Sequence, residues 1–90
     1  MDPQRREELL AKLNAVYHWP AVYTFKFILK PEEEKLIKLR TLFDESAQFS
    51  SKESSKGNYV SITVKELIVY PDTIFDRYTN ATAIEGVIAL

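Results

Sequence analysis

The chain has 90 residues, 46% of them hydrophobic and 28% charged, with 12 basic against 13 acidic side chains and no cysteine. A chain of this length buries only about 60 to 65% of its unfolded surface, which suits one core and not two. The net charge of −1 provides no overall field toward nucleic acid or anionic lipid, and the lack of cysteine excludes disulfide scaffolds, thiolate metal sites and thiol catalysis.

Asp2 and Pro3 read as an N-cap followed by proline at the first helical position, and Leu9, Leu13 and Val16 then recur on one face beside Leu10 and Tyr17. This leading helix should stop near Tyr17, because Pro20 disfavours helix at Trp19 and has no N–H to donate. Residues 22 to 29, VYTFKFIL, alternate Tyr23, Phe25, Phe27 and Leu29 with Val22, Thr24, Lys26 and Ile28, the two-residue period of a strand with its aromatic face inward. A helix then opens on Pro31, with Glu32 to Glu34 in its first turn and Lys35, Lys38 and Arg40 later, both in the sense the helix dipole favours. Leu36, Leu39 and Phe43 form its central apolar stripe, with Ile37 and Leu42 flanking.

Asp44-Glu45-Ser46 ends that helix, and AQFSSKES, residues 47 to 54, has the length of a short edge strand whose lysine discourages further pairing. Residues 50 to 57 offer almost no apolar anchor and are expected to be the most mobile internal segment. NYVSITVKELIV alternates Val60, Ile62 and Val64 against Tyr59, Ser61, Thr63 and Lys65, a strand with one wet face. Pro71-Asp72 begins another helix with Ile74, Phe75 and Tyr78 on one side, and AIEGVIAL, residues 83 to 90, is expected to close the chain as a strand. The order predicts an α+β fold, a ferredoxin-like βαββαβ sandwich with both helices on one face of an antiparallel sheet. It forms a single domain over 1–90, with an additional N-terminal helix in 1–18 and the core in 20–90.

The chemistries such a fold can host are tested by their residues. A phosphate loop needs G-x-x-x-x-G-K-[ST] before a helix, whereas here Lys56-Gly57 precedes a strand. Lys30-Pro31, in the first strand-to-helix loop, provides neither an arginine to hold a phosphoryl group nor paired cysteines to hold a metal. The outward positions Thr24, Lys26, Ser61, Thr63 and Lys65 carry no stacking aromatic for RNA, with only Tyr59 near them. His18 is the lone histidine, without a second ligand or acid/base partner in view. Asn80-Ala81-Thr82 matches a glycosylation sequon and is read as chance. The expectation is therefore no enzyme, no cofactor, no metal and no nucleic-acid partner. No apolar run approaches the roughly 18 residues of a membrane span, so a cytoplasmic protein without membrane attachment is expected.

WPAVYTFKFIL, SSKGNYVSITV and the tyrosine-containing last helix resemble the YbeD-like family of small bacterial proteins, a domain of unknown function, over about residues 17 to 90. Ser55-Lys56-Gly57-Asn58-Tyr59 followed by Ser61 and Thr63 is the most specific part of the resemblance. The resemblance implies a fold similar to ACT regulatory domains and a regulatory role without established catalysis. The ACT comparison also implies a glycine in the first strand-to-helix loop, where this chain has Lys30-Pro31. Together these point to a non-catalytic regulatory or adaptor module that binds an unidentified protein partner, as a monomer or homodimer, with an ACT-like small-molecule effector sensor as the alternative. Lys26, Lys52, Lys56, Gly57, Tyr59, Ser61 and Thr63 are the candidate contact surface.

Overall fold

A computed structural model of the chain describes residues 2–90. Its elements run α1 (Pro3–Val16), β1 (Ala21–Leu29), α2 (Glu33–Thr41), β2 (Gln48–Glu53), β3 (Val60–Ile68), α3 (Asp72–Thr82) and β4 (Ile88–Ala89). The sheet is antiparallel with strand order β2-β3-β1-β4, so the two long strands are central neighbours, as their apolar alternation predicts. This α+β arrangement is consistent with a ferredoxin-like sandwich.

The core lies on one face of the sheet. Phe25, Phe27 and Leu29 of β1 and Val60, Ile62, Val64 and Ile68 of β3 point into it and are buried, joined by Leu39 of α2, Ile74 and Phe75 of α3, and Phe43 just beyond α2. The rings interlock at angles: Phe25 meets Phe43 at 5.3 Å and Tyr78 at 5.2 Å, and Phe27 meets the same two at 6.0 and 5.9 Å. Such tilted contacts add to the area that aromatic side chains remove from water.

α1 begins as expected, with the Asp2 carboxylate accepting the Gln4 N–H at 3.1 Å. Its inner face differs from the expected stripe. Val16 is 74% exposed, Leu9 and Leu13 line a cleft of about 360 Å³ between α1 and α3, and Arg6 spans to α3, its guanidinium covering the Phe75 ring at 4.8 Å and reaching Asp72 at 3.5 Å. The stripe is thus extended toward the N-terminus by the planar head of Arg6 and is lost at Val16.

Three further expectations are corrected. α2 opens at Glu33 with Glu32 as its cap, leaving Pro31 outside, and its flanking Ile37 is 55% exposed. Residues 50 to 53 are not a mobile segment: they are paired in β2 against Val60 to Thr63. The last strand is only Ile88–Ala89, because the chain first turns through Ile84 to Val87, with Gly86 at φ +86° where a side chain would be strained.

Candidate functional site

The outward face of the sheet collects the residues singled out from sequence. Lys26 of β1 lies directly opposite Thr63 of β3, and Lys52 of β2 directly opposite Ser61, so these four share one surface by register. Lys65 joins them, flanked by Thr24 and Gln48 in its own row. Strand alternation places no carboxylate on this face among the described residues, and none of the three lysines takes part in an ion pair. Apolar groups border it at both ends, with Val22 opposite Leu67 at one and Ile28 opposite Ile88 at the other.

The hairpin at its rim is a built turn. Ser54 donates its N–H to the Tyr59 carbonyl at 2.9 Å, its hydroxyl accepts the Tyr59 N–H at 3.1 Å, and Gly57 closes back onto the Ser54 carbonyl at 2.9 Å with φ +71°. That conformation needs glycine, which accounts for Gly57 without any anion. Lys56 is exposed at the tip and Tyr59 is 47% exposed beside the face. The structure thus brings Lys26, Lys52, Ser61 and Thr63 together, with Tyr59, Lys56 and Gly57 at their margin.

On the core side, an open trough of about 400 Å³ runs between α2 and β2, lined by Leu36, Ile37, Phe49 and Ile62 with Arg40 and Glu53 among its polar groups. The Arg40 guanidinium sits 5.1 Å from the centre of the Phe49 ring.

Sequence reasoning missed Glu66. It is 2% exposed, on the inward side of β3, and its carboxylate accepts two bonds from Arg77 at 2.9 and 3.0 Å and a third from the Asp44 N–H at 2.8 Å. The signal was available: Val60, Ile62, Val64, Glu66 and Ile68 share one parity, which puts a carboxylate in the core row and requires a cation to meet it. Its bonds to Arg77 and to the Asp44 N–H clamp β3 to α3 and to the exit of α2. Asp44 itself is held below the usual carboxylate range by the Ser46 hydroxyl and N–H that it accepts.

Tyr23 and Tyr78 share a hydroxyl hydrogen bond of 3.3 Å beneath α1. Burial, followed by this bond, pushes the Tyr78 hydroxyl well above the ordinary tyrosine range. Folded Tyr78 therefore keeps its proton where the unfolded side chain has lost it. The associated stability is fully present below about pH 10 and declines above it. Thermal melts across that boundary should fall less steeply for Tyr78→Phe than for the unaltered chain, and parallel curves would remove Tyr78 as the cause.

No cluster of three or more metal-ligating side chains occurs among the described residues, and His18 is exposed. Among the same residues, no helix is long and apolar enough to cross a membrane.

Comparison with known proteins places these surfaces in a family context. Residues 14–90 match the family model described as "Protein of unknown function (DUF493)". The chain is 32% identical over 80 residues to a UPF0250 protein of Shewanella baltica and 30% identical over 80 residues to a UPF0250 protein of Shewanella putrefaciens, in each case covering 84% of this chain and 91% of the relative. No solved structure matches the chain. The YbeD-like resemblance agrees with these matches, which leave nearly all of α1 outside the family model.

Proposed function

This chain belongs to the DUF493 family of proteins of unknown function, and we propose that it acts as a non-catalytic adaptor of ferredoxin-like fold that docks an acidic segment of a partner protein on its open sheet face. The observation that carries the reading is the set of three unpaired lysines, Lys26, Lys52 and Lys65, standing among hydroxyls on a face that holds no carboxylate among the described residues. A rigid antiparallel sheet fixes such charges in space, and fixed charges select a complementary partner and speed its approach more than they add raw affinity. The apolar ends formed by Val22 with Leu67 and Ile28 with Ile88 provide the area that charge alone lacks. The near-absence of aromatic rings on the face favours a protein over a nucleic acid. A small-molecule effector is the second reading, and its support is the trough between α2 and β2.

The test is a titration with a fluorescent acidic peptide of alternating glutamate and leucine. The triple variant K26A/K52A/K65A should bind it about 3- to 150-fold more weakly, at roughly 0.2 to 1 kcal/mol for each exposed charge contact, while melting at nearly the same temperature. The binding should also weaken with salt. Equal affinity of the two proteins, or preference for a single-stranded RNA of the same charge, would overturn the reading.

A further inference from the structure

One unpartnered feature is the outer edge of β2. Ser54 donates its N–H to the Tyr59 carbonyl. Bonded pairs alternate along an antiparallel ladder, so those toward β3 fall on Lys52, Ser50 and Gln48. The backbone N–H and C=O groups of Phe49, Ser51 and Glu53 therefore face the open edge. Edges are commonly protected by proline, a bulge or an inward charge. Gln48–Glu53 contains no proline, and its register with β3 runs without interruption. Its inward charge, Glu53, would oppose pairing unless the second copy offered it a cation, and its lysine, Lys52, lies on the outer face.

We propose that two copies of this chain pair through β2, antiparallel about a two-fold axis at Ser51, and that Glu53 of each copy meets Arg40 of the other. The register follows from the groups that face outward. Ser51 would lie opposite Ser51 of the second copy, and Phe49 opposite Glu53, each a bonded pair of narrow spacing, about 5.5 Å between Cα atoms. The two residues of such a pair project on the same face, here the face that carries the helices.

Glu53 of one copy then stands beside the Phe49 ring of the other, the ring that the Arg40 guanidinium already covers at 5.1 Å. Neither Arg40 nor Glu53 has an ion pair within its own chain among the described residues. Both line the trough, and each would meet an opposite charge across the axis. Charge complementarity of this kind is isologous, as a two-fold interface requires. On the outer face Lys52 falls opposite Ser50 of the second copy, so the lysines do not confront one another. The two α2 helices come to flank the axis, which covers the exposed Ile37 and closes the trough from its open side.

Because the axis is perpendicular to the sheet, both copies present their lysine faces on the same side. The pairing thereby makes a bivalent platform, and two linked sites hold a partner with two acidic segments far longer than either site alone.

Sedimentation over a concentration series tests the pairing, with circular dichroism confirming that each variant folds. The unaltered chain should dimerise, and Arg40→Glu and Glu53→Arg should each weaken association at least tenfold. Mixing those two variants should restore dimers, since one side of the axis then keeps the original Glu53 and Arg40 contact and the other carries the same contact with its two charges exchanged. Ser51→Pro removes only an edge-facing N–H and should leave a folded monomer. An unaltered chain that stays monomeric at high concentration, a mixture that fails to associate, or a Ser51→Pro variant that still dimerises would each overturn the proposal.

Discussion

Phe27→Ala should lower stability by about 3 to 5 kcal/mol, the range for emptying a buried phenylalanine site. Phe27 is fully buried in the middle of β1, opposite Ile62, with its ring against Phe25, Phe43 and Tyr78. The neighbours that would have to collapse into the space are held by two helices and the sheet, so little of the cavity can close. A domain of this size is stable by only about 5 to 15 kcal/mol, and each kcal/mol moves its melting temperature by roughly 4 to 8 °C. Chemical denaturation should show the midpoint moving sharply to lower denaturant. A near-neutral result would mean that the aromatic row faces water, and the lysine face with it would lose its position.

Arg77→Leu is expected to cost a similar amount by a different route. The substitution leaves the Glu66 carboxylate buried with only the Asp44 N–H as donor. Removing one partner of a buried pair costs about 3 to 5 kcal/mol because the other charge is stranded, whereas replacing both with apolar groups of similar volume is often neutral or stabilising. The double variant Glu66→Leu/Arg77→Leu should therefore recover most of the loss in a denaturant melt. If the single variant melts with the unaltered chain, water reaches Glu66 and the clamp is not closed. A double variant as unstable as the single one would show that the contact of the Arg77 guanidinium with Phe43, 5.8 Å from its ring centre, carries the energy.

The fold was legible where one physical rule dominated. Alternation identified β1 and β3 and oriented both faces correctly, because a one-residue slip would have exposed Phe25 and Phe27. Proline and acidic residues located the helix starts to within two residues. It was less legible where tertiary contacts override composition. The serine-rich residues 50 to 53 read as mobile, yet pairing with β3 holds them, and backbone bonds do not depend on apolar side chains. Gly86 cut the last strand short through a positive φ that letter patterns around it did not announce. Arg6 was missed as a contact of α1 and Val16 was wrongly included, since a charged side chain counts as polar in a periodicity reading even when its plane covers a ring. The outward lysine face was legible in its members, Lys65 included, and the register adds that Lys65 stands in one row with Thr24 and Gln48.

The strand order has a consequence for how the chain is made. β1 lies between β3 and β4, so both of its neighbours in the sheet come from the later half of the chain. Its first residue, Ala21, pairs with Ile68, which the ribosome adds much later. During synthesis the aromatic row of β1 must wait unpaired until β3 has cleared the exit tunnel, and at roughly 5 to 20 residues per second that exposure lasts on the order of seconds. The helices α1 and α2, which form from local contacts within about a microsecond, are the early cover for that row. Until β3 is free to pair, the phenylalanine ladder of β1 is therefore without its sheet partner, and this interval, not the finished protein, is when it is most open to misassociation.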